Sequence, residues 1–108
     1  PSTNYIASHA GEFRQRYNLT VMNCWGNDTD DMCLMCDHAG ANETSIMKYF
    51  HPDLVRTANL PSDPDVWPLG MLGKDPRTDA SREKGRKIVE FEVKKMKAVL
   101  QKELEMLK

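Results

Sequence analysis

Three histidines, three cysteines and sixteen acidic side chains are the groups in this 108-residue chain that could hold a metal ion, move a proton or attack a carbonyl, and they are unevenly placed. The densest group is CDHAGANETS, residues 36–45, which carries Cys36, Asp37, His38 and Glu43 in one short segment. An imidazole exchanges a proton near neutral pH, so His38 could protonate a leaving amine or hold a substrate carbonyl. Its alternative is a helix-capping or core histidine. Asp37, beside it in sequence, is a substrate-binding candidate that need not face the ring. Glu43 could join a metal site, where hard oxygen and imidazole ligands suit zinc or manganese, or orient a ligand of one. Near a helix start it would equally serve as a favourable dipole partner. Thr44 and Ser45 fit helix capping and close packing. His9 lies on a helix and His51 precedes a proline, and both are read as structural.

Cys33-Leu34-Met35-Cys36 is a C-x-x-C pair that, with Cys24 and His38, could make a four-ligand zinc site. Thiolate zinc sites usually show two such pairs, and a redox pair usually opens a helix after a strand, so the thiols are read as lining a substrate loop, with Cys36 facing the ligand. An odd cysteine count beside seven methionines does not suit a disulfide-stapled secreted domain. Asp28, Asp30 and Asp31 resemble a piece of a calcium loop, but the turn glycine and the twelfth-position glutamate of an EF-hand do not follow. Pro1 would be a secondary amine if free, but tautomerases that use one follow it with a strand, where a helix is expected here.

The elements that must position these groups show in the apolar spacing. Ile6, Ala10, Phe13 and Tyr17 predict one amphipathic helix over residues 3–17. The run LTVMNCW, residues 19–25, is apolar and β-branched enough for a buried strand. Trp25 then stands at its carboxyl end, where α/β folds bind ligands, and could stack on a flat substrate or cap the core beneath a loop. GNDTDD, residues 26–31, reads as the loop that leaves this strand. A short helix is expected over residues 42–50, stopped by His51-Pro52 because the residue before proline avoids the helical region.

Pro61, Pro64, Pro68 and Pro76, with Gly70 and Gly73, make residues 59–76 an irregular connector of the sort that covers a site. Asp79 is expected to cap a last helix, along which Val89, Val93, Met96, Leu100, Leu104 and Leu107 keep a spacing of three and four. Glu83 with Lys87 and Glu90 with Lys94 are its expected i,i+4 pairs. At 1.5 Å per residue this helix would reach about 43 Å, longer than a domain of this size is wide, so its apolar stripe calls for a surface outside the chain. One strand cannot pair its own backbone groups either. Both features describe part of a larger fold.

With 40% hydrophobic and 29% charged residues the composition suits one folded domain rather than a disordered segment. A net charge of −1 gives no global pull toward nucleic acid or an anionic membrane. No apolar run approaches the roughly 18 residues of a membrane span, and the start lacks a signal peptide's basic and apolar regions, so a cytoplasmic setting is expected.

Asp37-His38-Ala39-Gly40, then Glu43-Thr44-Ser45, then Pro52-Asp53-Leu54-Val55 resemble the creatininase family's H-x-G-x-x-E-T-S-x-M followed by P-D-L-V. DPRTDASREKG, residues 75–85, is similar to the family's segment before its last helix, and Trp25 follows the strand where the family often has an aromatic residue. The resemblance implies an α/β protein: the C-terminal portion of a three-layer α/β/α domain spanning residues 1–108, with few strands here and a long C-terminal helix. It implies a dinuclear metal site, zinc or manganese, that hydrolyses C–N bonds of small amides, with metal-activated water as the nucleophile. It further implies a homo-oligomer, often a hexamer.

By the same resemblance the family's N-G-H, Glu-x-His and Asp metal ligands precede the first helix here. His38 and Glu43 would then supply part of a site whose metals are held mostly by residues outside this chain, on a companion N-terminal polypeptide cut from the same precursor. The best-known creatinine hydrolases have a tryptophan in the loop before the histidine, where Leu34 or a neighbour stands here. The resemblance therefore implies the family's chemistry rather than creatinine as the substrate. A non-catalytic subunit that assembles through the last helix is the competing reading, and a C-x-x-C zinc or redox module is the third.

Overall fold

In this computed structural model residues 2–22 and 37–107 are described. The elements are α1 (Ser2–Ser8), α2 (Ala10–Tyr17), α3 (Ala41–Phe50), two single 3₁₀ turns (Pro52–Leu54 and Thr57–Asn59), α4 (Pro76–Asp79) and α5 (Arg82–Met106). The described residues are therefore mostly helical. Their single piece of β pairing is an isolated antiparallel bridge between His38 and Leu72. Two compact units divide the chain, Pro1–Trp25 with Lys94–Lys108, and Gly26–Val93.

The single helix expected over residues 3–17 is two helices broken at His9. The cause is local competition for one carbonyl. Tyr5 O, which an unbroken helix would pair with the His9 amide, instead accepts from Ser8 Oγ at 2.8 Å and lies 2.8 Å from His9 Nδ1. The His9 amide turns to Ile6 O at 3.2 Å, one residue short of α-helical pairing. Asn18 ends α2 in the left-handed region at φ 53°, a conformation its short polar side chain tolerates, and donates to Arg14 O at 3.1 Å. No residue of α2 is buried.

The expected strand over residues 19–25 is not found where it can be seen: residues 19–22 carry no regular structure, and Leu19 is exposed. A strand exists only when a neighbour takes its amides and carbonyls, and among the described residues none is offered there. Residues 23–25, and with them Cys24 and Trp25, lie outside the described residues, as do the loop of residues 26–31, Cys33 and Cys36.

In the second unit α3 packs against α4 and the first 3₁₀ turn, and α4 against the second turn. His51, at φ −136°, ends α3 before Pro52 as the sequence requires. The small core includes Ala41, Met71 and Ile88, with Ser45 and Pro76 fully buried. Gly85 is buried where α5 passes α3, and a Cβ there would run into the Ser45 carbonyl and Tyr49 Cβ. Ser45 Oγ donates to Ala41 O and accepts the Ser81 amide at 3.0 Å, so one buried hydroxyl ties α3 to the entry of α5. Lys48 Nζ adds a bond to Ala80 O at 3.1 Å.

α5 has a different cap from the one expected. Asp79 closes α4, and Ser81 Oγ takes the Lys84 amide at 3.1 Å, so the helix starts at Arg82. Its 25 residues make about 38 Å. Glu83 meets Lys87 at 3.9 Å as expected, but Arg86 takes both Glu83, at 2.7 Å, and Glu90, at 2.5 Å. The expected Glu90–Lys94 pair is thus replaced by Arg86–Glu90. Val93, Met96, Leu100, Leu104 and Leu107 are 43–58% exposed.

Proline-rich residues 61–68 have no helix or strand, yet they are firmly held. Arg77 Nη1 donates to the carbonyls of Pro61 (2.7 Å), Asp63 (2.9 Å) and Val66 (3.2 Å), and Nη2 to Pro64 (3.3 Å). The same guanidinium is paired with Asp75, Nη2 to Oδ2 at 2.7 Å and Nε to Oδ1 at 3.0 Å. Asp75 also caps α4 through the Arg77 amide at 2.8 Å, with Pro76 at the first helical position where its missing N–H costs nothing.

Candidate functional site

The segment of residues 37–45 folds as the mouth of α3, and its side chains are largely committed to building that helix start. Asp37 Oδ2 accepts the Asn42 amide at 2.7 Å and Oδ1 the Glu43 amide at 3.0 Å, so both carboxylate oxygens cap α3 from three residues before its N-cap, Gly40. Glu43 folds back, and its Oε2 takes the Ala39 amide at 2.7 Å. This reciprocal arrangement is a capping box stretched by the extra acid at its front. Thr44 Oγ1 reaches Ala39 O at 3.4 Å.

Backbone pairing holds the segment in place. His38 N donates to Leu72 O at 3.0 Å, Leu72 N to His38 O at 2.9 Å, and Ala41 N to Lys74 O at 2.9 Å. Gly40 is a glycine for reasons of space: a Cβ would lie 2.5 Å from Asp37 Oδ2 and 2.6 Å from Leu72 O. Gly73, at φ 111°, needs glycine on both counts, since its Cβ would also stand 2.5 Å from Asp37 Cβ. Ala39 is held at φ 51°, a left-handed conformation that a residue with a Cβ avoids. The strained residue is thus the one between His38 and Gly40, a place where proteins often store strain for function.

The His38 side chain is exposed and makes no hydrogen bond among the described residues. Its backbone is fixed by the Leu72 bridge, so a free ring stands on a rigid base. Glu43 is half-buried, with Oε2 engaged by Ala39. Trp25 and Cys36, the other two predicted site residues, lie outside the described residues. Of the predicted set, then, Asp37, His38 and Glu43 are brought together at the α3 mouth.

An open groove of about 240 Å³ runs beside this mouth. Ala39 and Thr44 form its near side, Val55 and Arg56 come from between the two 3₁₀ turns, and Leu69 and Met71 come from the connector. Trp67 Nε1 donates to Met71 O at 3.0 Å and fixes the turn that carries Leu69. Sequence reasoning missed the groove and Arg56, because no spacing rule joins residues 39, 56 and 69. It also missed the Arg77 hub, four of whose partners are backbone carbonyls. The one readable trace of that hub was Asp75-Pro76, an N-cap followed by a first-turn proline.

The residues fit a metal centre only in part. Among the described residues no group of three histidine, cysteine, aspartate or glutamate side chains could hold a metal ion. Asp37 has both oxygens turned to the α3 amides and Glu43 has one on Ala39. These residues by themselves do not make a dinuclear centre.

Comparison with known proteins returns one family. The model described as creatininase, creatinine amidohydrolase, matches residues 4–100. No curated protein and no solved structure matches the chain. The match takes in the α3 mouth, the groove, the Arg77 hub and most of α5, and it carries with it a chemistry of C–N bond hydrolysis that is generally metal-dependent. The chain belongs to the creatininase family.

Proposed function

We propose that this chain forms part of a metal-dependent amidohydrolase that cleaves the C–N bond of a small, sometimes cyclic, amide. The observation that carries the reading is the α3 mouth, where the family's histidine-glycine and Glu-Thr-Ser residues become a rigid platform under an exposed His38 ring. In hydrolysis water adds to the amide carbonyl carbon, the C–N bond breaks, and the departing nitrogen takes a proton. In this reading His38 carries that proton or holds the carbonyl oxygen. Glu43, with one oxygen on Ala39, holds the segment and offers its other oxygen to a metal or to a metal ligand.

A bound zinc or manganese pair would supply an activated water and polarise the carbonyl. Its remaining ligands belong, in this proposal, to chain outside the 108 residues, on a companion N-terminal polypeptide of the same precursor. That chain would also complete the three-layer α/β/α domain, and the whole would assemble as a homo-oligomer, a hexamer by family. No helix among the described residues is long and apolar enough to cross a membrane, and a cytoplasmic site of action is part of the proposal. Trp25 and Cys36 would line the substrate loop.

The test is hydrolysis of a panel of cyclic and linear amides by the assembled protein, with metal content measured beside it, for wild type and His38→Ala. A drop of about 10²- to 10⁴-fold with metal retained is expected. An unchanged rate, or fully assembled protein with no bound metal, would sink the proposal. A second reading, a non-catalytic subunit, is favoured by the exposed stripe from Val93 to Leu107 on α5. It predicts assembly lost on Leu100→Asp with no hydrolysis in any variant.

A further inference from the structure

The groove beside the α3 mouth has apolar walls and, among the described residues, a single cation. Val55, Leu69 and Met71 supply much of the wall, Ala39 and Thr44 join it to the candidate site, and Arg56 is the one charged residue that lines it among the described residues. The Arg56 side chain is exposed, and its guanidinium makes no hydrogen bond or ion pair among the described residues. The contrast with Arg77 is direct, since that guanidinium is spent on Asp75 and four backbone carbonyls. A guanidinium left open beside apolar walls is matched by a planar carboxylate, which it can grip with two parallel hydrogen bonds. A phosphate ester would bring a second charge, and among the described residues no lysine lines the groove to meet it.

We infer that Arg56 determines specificity: the substrate carries, besides its scissile amide, a carboxylate on a compact apolar body, with the body against Leu69 and Met71 and the carboxylate on Arg56. The inference rests on the amidohydrolase reading for the position of the reacting bond, since Ala39 is the wall residue next to His38. Arg56 is a recognition residue, and the proton handling stays with His38. The groove volume suits such a small molecule, with the polar contact fixing orientation and the apolar wall supplying affinity.

The test uses two probes of matched shape, N-formyl-leucine and N-formyl-leucinol, which differ in the carboxylate. Hydrolysis of the first adds one water and gives formate and leucine. Equilibrium binding and hydrolysis are both measured on the assembled protein, for wild type, Arg56→Gln, Arg56→Lys and His38→Ala. Wild type should bind the carboxylate probe about tenfold more tightly than the alcohol. Arg56→Gln should abolish that preference while leaving alcohol binding unchanged, Arg56→Lys should restore part of it, and His38→Ala should retain it.

Equal binding of the two probes by wild type, binding of neither, or an equal effect of Arg56→Gln on both would overturn the inference. Carboxylate preference without hydrolysis of any amide by wild type would instead remove the amidohydrolase reading and leave Arg56 as an anion-recognition residue.

Discussion

Asp37 and Glu43 are bound head to tail across the first turn of α3, the Asp37 carboxylate holding the Glu43 amide at 3.0 Å while the Glu43 carboxylate reaches back to the Ala39 amide at 2.7 Å. Two acids that a metal chemist would read as ligands are thereby also the framework that aims His38. Asp37→Ala removes the acceptor for two helix-start amides and should cost about 1–2 kcal/mol of stability, with Asp37→Asn costing less. Chemical denaturation followed by circular dichroism measures it, and equal stability of all three proteins would contradict the capping role.

Gly40→Ala should be among the most disruptive single-methyl changes in the second unit. The added Cβ meets the Asp37 carboxylate tip, which is pinned by the Asn42 amide, and the Leu72 backbone carbonyl. A loss of about 1–3 kcal/mol is expected from overpacking. Because Asp37 must move, hydrolysis should fall even where the protein remains folded at low temperature.

Ala39→Gly should act the other way on stability. The left-handed backbone at φ 51° strains a residue with a Cβ by about 1–2 kcal/mol, part of which glycine returns as extra freedom in the unfolded chain. The expected result is a small rise in melting temperature, together with lower activity if the strain serves to hold the His38 base rigid. A clear fall in melting temperature would contradict the strained geometry.

Ser45→Ala should unfasten α3 from α5. The hydroxyl is fully buried and serves the Ala41 carbonyl and the Ser81 amide at once, so its loss should cost about 1–3 kcal/mol. Faster amide exchange at Ser81 and in the first turn of α5 is the specific sign. Slowed or unchanged exchange there would exclude the tie.

Acid should loosen the connector before it unfolds α3. Hydrogen bonds from the Arg77 side chain, opposed by desolvation and helped by the Arg77 amide and charge, hold the Asp75 carboxyl below its usual range. A carboxyl lowered on folding binds fewer protons in the folded state, so its contribution is complete above the usual carboxylate range and is lost as pH falls through the lowered value. Limited proteolysis within residues 61–66 should therefore rise in acid. Asp75→Asn should show that susceptibility already at neutral pH, with no further acid step.

Local signals in the sequence located what depends on local structure. The α3 helix and its stop at His51-Pro52 follow from apolar spacing and the proline rule, and the observed element, Ala41–Phe50, begins one residue before the expected start. The irregular connector follows from its prolines. The helix break at His9 did not show, because Ser8 and His9 act on Tyr5 O by hydrogen bonding, which apolar spacing does not register. The α5 cap was misassigned to Asp79 because Ser81 and Asp79 are both good caps, and Asp75-Pro76 had already begun a separate turn.

The strand over residues 19–25 was inferred from composition alone, whereas a strand is a property of two segments. At the candidate site the motif pointed to Asp37, His38 and Glu43 but not to what they touch. Leu72 and Lys74 support the segment through backbone atoms, which carry no sequence signature.

The Arg77 hub has an evolutionary consequence. It grips carbonyl oxygens of residues 61, 63, 64 and 66 and no side chain among them, so much of the curve of that strap is written in one arginine that lies outside it. Side chains along it other than the prolines and Asp63, whose carboxylate holds the Asp65 amide, are free to be exchanged while the path stays the same. The turn that follows, bearing Leu69, would keep its place through such exchanges, and descendants of this chain could trial new pocket linings one residue at a time without first reinventing the loop.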